Sequence, residues 1–188
     1  MINSNDIKAV ILAAGKGTRM KSETPKVLHR IFSKTLIQRV VDSVLEIPNV
    51  SEVFVIVGHQ AEKVTEHIQD VYKDNKISIS TVLQQPQLGT GDAVFKVYDY
   101  LKDYKGSVII TCGDTPLLTS ETLTRFVEFH KQAQAFLTVM SAIVDDPTNY
   151  GRIVRKEDNS LERIVEEKDA NSVEKSIKEI NAGVYCIE

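Results

Sequence analysis

The chain alternates between short apolar runs and segments whose apolar residues recur at helical spacing. The run Ile7–Ala14 carries three consecutive large aliphatic residues, which is typical of a strand buried on both faces of a parallel sheet. Similar runs predict further strands at Val53–Val57, Ile77–Leu83, Ser107–Thr111 and Phe136–Ala142. Helical spacing predicts helices at Leu36–Leu45, Ala61–Val71, Asp92–Leu101 and Ser120–Gln134. Repeated strand-helix-strand units indicate an α/β fold, in which helices cover a parallel sheet.

Two details of these helices follow from the same pattern. The residues Val64, Ile68 and Val71 share one helical face and are expected to point inward. Ser120 is expected to act as the N-cap of its helix, because a serine hydroxyl can accept a hydrogen bond from a free amide of the first turn.

The pattern changes after Asp145, where charge increases and aliphatic residues become fewer. Arg152–Arg155 and Leu161–Glu166 predict two short strands joined as a β-hairpin, which we expect to be an insertion at the edge of the active site. A polar helix is predicted near Asn171–Ile177, and a last strand at Gly183–Ile187. Because the sequence stops on an apolar strand, we expect it to be part of a longer chain.

Composition limits the classes of function. The chain has 188 residues, 42% of them hydrophobic and 26% charged, which suits one well-packed globular domain. A net charge of −3 argues against a nucleic-acid partner, so any phosphate ligand must be held locally. Neither a basic leader nor an apolar run of about 20 residues is present in the sequence, which predicts a cytoplasmic protein without a membrane partner.

A small-residue loop follows the first predicted strand and carries three cations. Gly15 and Gly17 allow backbone amides to approach a phosphate, and Lys16, Arg19 and Lys26 supply positive charge. The spacing fits neither the dinucleotide fingerprint nor the Walker loop. On the residues alone, a tight turn with solvated lysines remains an equal alternative.

Two later strand ends also carry polar residues. Gln84 ends one strand, and its amide could recognise a base, while Gly89 and Thr90 precede a helix whose first amides are free. An ordinary helix start is the alternative there. Asp114 follows another strand and could anchor Mg²⁺ beside phosphate oxygens, or merely cap the turn before Pro116.

These motifs carry a family resemblance. The segment Leu12–Met20, followed by Pro25–Leu28, resembles the signature of sugar-1-phosphate nucleotidyltransferases. It is most similar to the uridyltransferase domain of the bacterial bifunctional N-acetylglucosamine-1-phosphate uridyltransferase (GlmU) family, and the resemblance extends from Lys8 to Ile187. It implies a Rossmann-like, three-layer α/β/α fold for residues 1–188. It also implies that the domain is incomplete at its C-terminus and lacks the β-helical acetyltransferase domain through which full-length relatives trimerise.

The resemblance further implies the reaction, in which UTP and N-acetylglucosamine 1-phosphate give UDP-N-acetylglucosamine and pyrophosphate with Mg²⁺. Arg19 and Lys26 match the catalytic positions, and Asp114 matches the metal ligand. Amino-sugar contacts are implied for Gly151, Glu166 and Asn181. The positions implied to bind the nucleotide are Leu12, Ala13, Ala14, Gly15, Gly17, Gln84, Gly89 and Thr90.

The match has departures and alternatives. Asp92 stands where the family commonly has histidine, and we expect its side chain to be dispensable. A second metal-binding asparagine would lie beyond residue 188, so we expect this exact chain to be poorly active. The alternatives are a nucleotidyltransferase for glucose 1-phosphate with UTP or dTTP, and a domain that binds a nucleotide without turnover.

Overall fold

The computed structural model describes residues 6–17 and 20–188 and divides into two compact units. The first unit runs to Leu137 and also includes Cys186–Glu188, and the second is Thr138–Tyr185. The strands of the first unit are β1 (Ile7–Leu12), β2 (Arg30–Ile31), β3 (Lys34–Thr35), β4 (Val50–Val57), β5 (Ser78–Leu83) and β6 (Ser107–Cys112). Its helices are α1 (Leu36–Leu45), α2 (Ala61–Tyr72), α3 (Thr90–Phe95), α4 (Tyr98–Leu101) and α5 (Ser120–Gln132), with a 3₁₀ helix at Lys26–Leu28.

Strand β1 lies between β4 and β6, and all three are parallel. Its residues Ala9, Val10 and Ile11 are fully buried, because helices cover both faces of a parallel sheet. Strand β5 extends the sheet on the far side of β4, so the order is β5-β4-β1-β6. Leu12 pairs with Ile56 of β4 and with Cys112 of β6, so these three strands end at the same edge.

The predicted helices are present, with three corrections. Val64 and Ile68 of α2 are buried, but Val71 is 38% exposed, so its predicted inward position was wrong. The next residue, Tyr72, makes the contact to α1 instead, since its hydroxyl donates to the Asp42 carboxylate over 2.7 Å.

The single helix predicted at Asp92–Leu101 is two helices, α3 and α4. The break falls at Val97, which has φ −97° and ψ 5° and is fully buried. Helix α5 begins at Ser120 as predicted, but its cap is the preceding residue: the Thr119 hydroxyl accepts a hydrogen bond from the Thr122 amide.

The second unit contains the predicted hairpin. Strands β8 (Arg152–Arg155) and β9 (Leu161–Val165) pair antiparallel, and β8 also pairs with β10 (Glu179–Ile187), which in turn pairs with β7 (Leu137–Ile143). Strand β10 begins four residues before the predicted start, at Glu179. Helix α6 (Ser172–Lys175) begins with a capping box between Asn171 and Glu174.

The expected α/β fold, with a mostly parallel sheet and a β-hairpin, is thus confirmed. Within the described residues, no helix combines the length and the apolar character needed to cross a membrane.

The corrected N-cap of α5 can be tested by two single substitutions. Thr119→Ala should lower the free energy of unfolding by about 1 kcal/mol, because the Thr122 amide loses its acceptor. Ser120→Ala should cost less, since the Ser120 hydroxyl only donates to the exposed Glu46 carboxylate. Urea unfolding followed by circular dichroism measures both values, and a larger loss in Ser120→Ala would contradict the assignment.

Candidate functional site

The loops after β1, β4 and β6 are held together by backbone hydrogen bonds. The Ala13 amide donates to the Ile56 carbonyl over 2.8 Å, and the Gly113 amide donates to the Leu12 carbonyl over 2.9 Å. One residue further along, the His59 amide donates to the Ala14 carbonyl over 3.2 Å. The parallel register therefore continues beyond the strands and places three loops side by side.

A cavity of about 660 Å³ opens at this edge of the first unit. Every nucleotide-binding residue predicted from the sequence lines it, together with Lys26 and Asp114. The predicted catalytic residue Arg19 lies outside the described residues. Lining residues that the sequence did not single out are Met20, Val27, Gln87, Ala93 and Cys112.

Lys26 and Asp114 form an ion pair in this cavity, although 88 residues separate them. Lys26 begins the 3₁₀ helix after Pro25, and Asp114 follows β6. The Lys26 ammonium donates to Oδ2 of Asp114, and both side chains are partly exposed. The Lys26 ammonium and the Asp114 carboxylate thus lie side by side, where a phosphate and its counter-ion could bind.

The two loop glycines have different roles in the folded chain. Gly17 has φ +60°, and a Cβ atom placed on it would lie 2.7 Å from Cβ of Lys26. A Cβ atom placed on Gly15 would have no neighbouring atom within 4 Å. Gly17 is therefore needed for the backbone conformation and for the position of Lys26, whereas Gly15 leaves open space beside the cavity.

Gln84 is only 4% exposed and its amide is already engaged. Its Nε2 donates to the Gly89 carbonyl over 2.9 Å and to Oδ2 of Asp92 over 2.8 Å. The expectation that the Asp92 side chain is dispensable overlooked this contact. A carboxylate in the first turn of the helix after Gln84 was the available signal, but only the folded loop brings the two side chains together.

Cys112 lies in the cavity beside Asp114. Burial raises the pKa of its thiol to about 11, and the negative charge of Asp114 adds to the effect while Lys26 opposes it. The thiol is therefore protonated at neutral pH and is a poor nucleophile. Lys16, a cation of the glycine loop, does not line this cavity but lines a second one of about 960 Å³, together with His59.

The three predicted sugar-binding residues come together in the second unit. The Asn181 amide donates to the Gly151 carbonyl over 2.8 Å. A Cβ atom on Gly151 would lie 3.3 Å from Oε1 of Glu166, which shows how close that carboxylate is. Glu166 is exposed, and the structure records no hydrogen bond to its carboxylate within residues 6–17 and 20–188.

An ion pair between a buried arginine and a partly exposed glutamate lies next to this cluster in the sequence. Arg152, which follows Gly151, is 1% exposed and donates to the Glu167 carboxylate and to the Tyr150 carbonyl. The Asn181 side chain is oriented by two hydrogen bonds: its Oδ1 accepts from the Gly183 amide, and its Nδ2 donates to the Tyr185 hydroxyl. Glu166 is thus the member of the cluster that is most available to a ligand.

Asp114 is the carboxylate of this cavity that a metal ion could use. In the part of the chain that the structure describes, no group of three or more His, Cys, Asp or Glu side chains could hold an ion. Mg²⁺ is commonly bound through one or two carboxylates together with substrate phosphates. A single carboxylate such as Asp114 is therefore compatible with a divalent ion that phosphate oxygens also bind.

Comparisons with known proteins agree with this geometry. The sequence model of the nucleotidyl transferase family matches residues 8–187. The bifunctional protein GlmU of Bacillus cytotoxicus is 47% identical over 180 residues, which are 96% of this chain but 38% of that protein. The chain therefore spans well under half the length of this curated relative.

Solved structures show the same fold at low sequence identity. A protein described as a glucose-1-phosphate thymidylyltransferase from Bacillus anthracis, in complex with a sucrose, superposes with a TM-score of 0.80 at 18% identity. That match covers 97% of this chain and 71% of the other. A UDP-glucose pyrophosphorylase complexed with UDP-glucose gives a TM-score of 0.74 at 18% identity, over 97% and 76% of the two chains.

The difference between the loop glycines predicts different costs of adding a methyl group. Gly17→Ala should lower the free energy of unfolding by about 1–3 kcal/mol, because φ is left-handed and Cβ would collide with Lys26. Gly15→Ala should change it by less than about 0.5 kcal/mol. Urea unfolding of the ligand-free protein checks both values, and equal losses would show that Gly17 has no special structural role.

Proposed function

We propose that this chain, which belongs to the nucleotidyl transferase family, transfers a uridylyl group from UTP to N-acetylglucosamine 1-phosphate and releases pyrophosphate. The observation that carries the proposal is that the glycine loop, Lys26, Asp114 and Gln84 line the same cavity. It combines groups suited to phosphate, metal and base, and the similarity to GlmU favours uridine and the amino sugar.

The reaction needs no covalent enzyme intermediate. A phosphate oxygen of the sugar phosphate attacks the α-phosphorus of UTP in line, and the bond to the bridging oxygen breaks as pyrophosphate leaves. Both reactants are anions, so the barrier is dominated by charge repulsion and alignment. Lys26 neutralises the α-phosphate and the attacking phosphate, Arg19 stabilises the departing pyrophosphate, and the backbone of Gly15 and Gly17 cradles the triphosphate.

Enzymes of this family generally use a divalent metal. Mg²⁺ is the proposed ion, and Asp114 would hold it. When bound, Mg²⁺ would supply positive charge to the phosphates. Lys26 pairs with Asp114 in the ligand-free protein, so the same ammonium is already placed at the position where phosphate charge would arrive.

The sugar is proposed to bind at Gly151, Glu166 and Asn181. Hydroxyl and acetamido groups need directional partners, which an exposed carboxylate provides as an acceptor. The product would be UDP-N-acetylglucosamine, a precursor for cell-wall synthesis. The cytoplasmic location stays a prediction, which cell fractionation would test.

Pyrophosphate release separates this proposal from its alternatives. The chain is expected to be poorly active, but it should still release pyrophosphate at a slow, measurable rate from UTP and N-acetylglucosamine 1-phosphate in the presence of Mg²⁺. Release should be slower still when glucose 1-phosphate replaces the amino-sugar phosphate or when dTTP replaces UTP. Faster release with glucose 1-phosphate would favour the glucose enzyme. Binding of UTP without release from any sugar phosphate would favour a non-catalytic nucleotide-binding domain.

Removal of single cations should slow the reaction without unfolding the chain. Lys26→Ala and Arg19→Ala should each lower kcat by about 10² to 10³, as loss of a preformed charge at a transition state does. Lys76→Ala, at an exposed loop position, is the matched control and should keep the parent rate. Near-parent rates in both loop variants would refute the assigned roles.

The sugar site predicts a selective change in KM. Glu166→Ala should raise KM for N-acetylglucosamine 1-phosphate by about tenfold, because a charged acceptor contributes on the order of 1.5 kcal/mol, while KM for UTP stays unchanged. Glu157→Ala removes an exposed carboxylate from the hairpin turn and should alter neither value. A parallel rise in both KM values for Glu166→Ala would argue against a sugar contact.

A further inference from the structure

Gln84 is held in a defined place at the end of β5. Its backbone amide donates to the Val57 carbonyl over 2.8 Å, which continues the pairing between β4 and β5. Its side chain is nearly fully buried and lines the cavity. The one freedom left to such a side chain is the orientation of its amide, because the carbonyl and NH₂ ends are almost equal in shape.

Two acceptors determine that orientation. The Gly89 carbonyl and the Asp92 carboxylate can only accept, and both lie within 2.9 Å of Nε2. The NH₂ end must therefore face them, which uses both of its hydrogens. The carbonyl Oε1 is left as the polar group available to a ligand in the cavity.

Asp92 is itself fixed as an anion. Its Oδ1 lies 3.1 Å from the Lys96 ammonium, one turn further along the chain. The hydrogen bond from Gln84 is the main cause that holds the pKa of Asp92 below its usual range, and contacts with Lys96 and the Leu88 backbone add to it. Asp92 thus remains an acceptor at neutral pH and cannot turn a donor toward Gln84.

We infer that Asp92 is a positioning residue that, together with the Gly89 carbonyl, locks the Gln84 amide with Oε1 toward the nucleotide, and thereby selects a base whose ring N3 carries a hydrogen. Uracil has this N3 hydrogen, whereas cytosine has a lone pair at N3 that would face Oε1. The inference rests on the proposed use of UTP. It adds a specificity role for a residue that makes no contact with the base itself.

The isosteric variant Asp92→Asn tests the lock. An asparagine can present either end of its amide, so the Gly89 carbonyl alone would still require the Gln84 NH₂ group. The opposite orientation, which offers the NH₂ group to N3 of cytosine, should therefore become more populated. Isothermal titration with UTP and with CTP should show that the preference for UTP falls about tenfold or more. The reason is that an NH₂ group turned toward the base repels N3–H of uracil but donates to N3 of cytosine. The ratio of kcat/KM for the two nucleotides, measured with N-acetylglucosamine 1-phosphate, should fall in parallel.

Two further variants separate orientation from stability. Lys96→Met removes the ion pair between Lys96 and Asp92 but keeps Asp92 as the acceptor for Gln84. The preference for UTP over CTP should therefore stay within about threefold of the parent. Asp99→Asn removes a neighbouring exposed ion pair with Lys102 and should leave the preference unchanged. Thermal melting by circular dichroism confirms that each variant is folded.

The outcomes are decisive in both directions. A fall in preference confined to Asp92→Asn supports the inference. Three results would overturn it and leave Asp92 with a structural role only. They are an unchanged preference in Asp92→Asn, an equal weakening of UTP and CTP binding in that variant, and an equal fall in preference in Lys96→Met. If the chain releases no pyrophosphate from any sugar phosphate, the proposed function fails, but the titrations still decide the inference. A parent chain that binds UTP and CTP equally would overturn it as well.

Discussion

The pairing of β1 with β4 and β6 is the constraint on which the rest of the first unit depends. Parallel strands run in one direction, so their carboxyl ends must lie at one edge, and the helices that return the chain must cover the faces. Burial of β1 on both faces holds it in the middle of this arrangement. The loops that follow can then differ in sequence without losing their common location, and those after β1 and β6 line the cavity.

This constraint explains how a chain with a net charge of −3 can form the site that we propose for phosphate anions. The positive charge need not be spread over the surface, because Lys26 is brought to the strand ends and packs against Gly17. Its partner Asp114 balances the charge in the ligand-free protein. A metal-bound nucleotide would bring both positive and negative charge. The metal ion could then replace Lys26 as the partner of Asp114, and the phosphates could pair with Lys26.

Polar groups in each unit are oriented by neighbours that a ligand would not touch. Asp92 orients the Gln84 amide in the first unit, and the Gly183 amide and the Tyr185 hydroxyl orient the Asn181 side chain in the second. Such supporting contacts remove rotational freedom before a ligand arrives, which lowers the entropic cost of recognition. Specificity at these positions therefore depends on residues outside the obvious motifs.

The sequence by itself determined the elements whose signal is local: strand β1, helix α1, the hairpin of β8 and β9, and the glycine loop. Apolar periodicity reports burial of a face whatever the partner is. Only the tertiary structure decided which of Val71 and Tyr72 faces α1, where the helix breaks at Val97, and that Asp92 meets Gln84. The contact of Tyr72 depends on Asp42 of α1, and that of Asp92 depends on Gln84 at the end of β5. A hydrogen bond or a packing contact requires two partners, and the pattern along one segment specifies only its own.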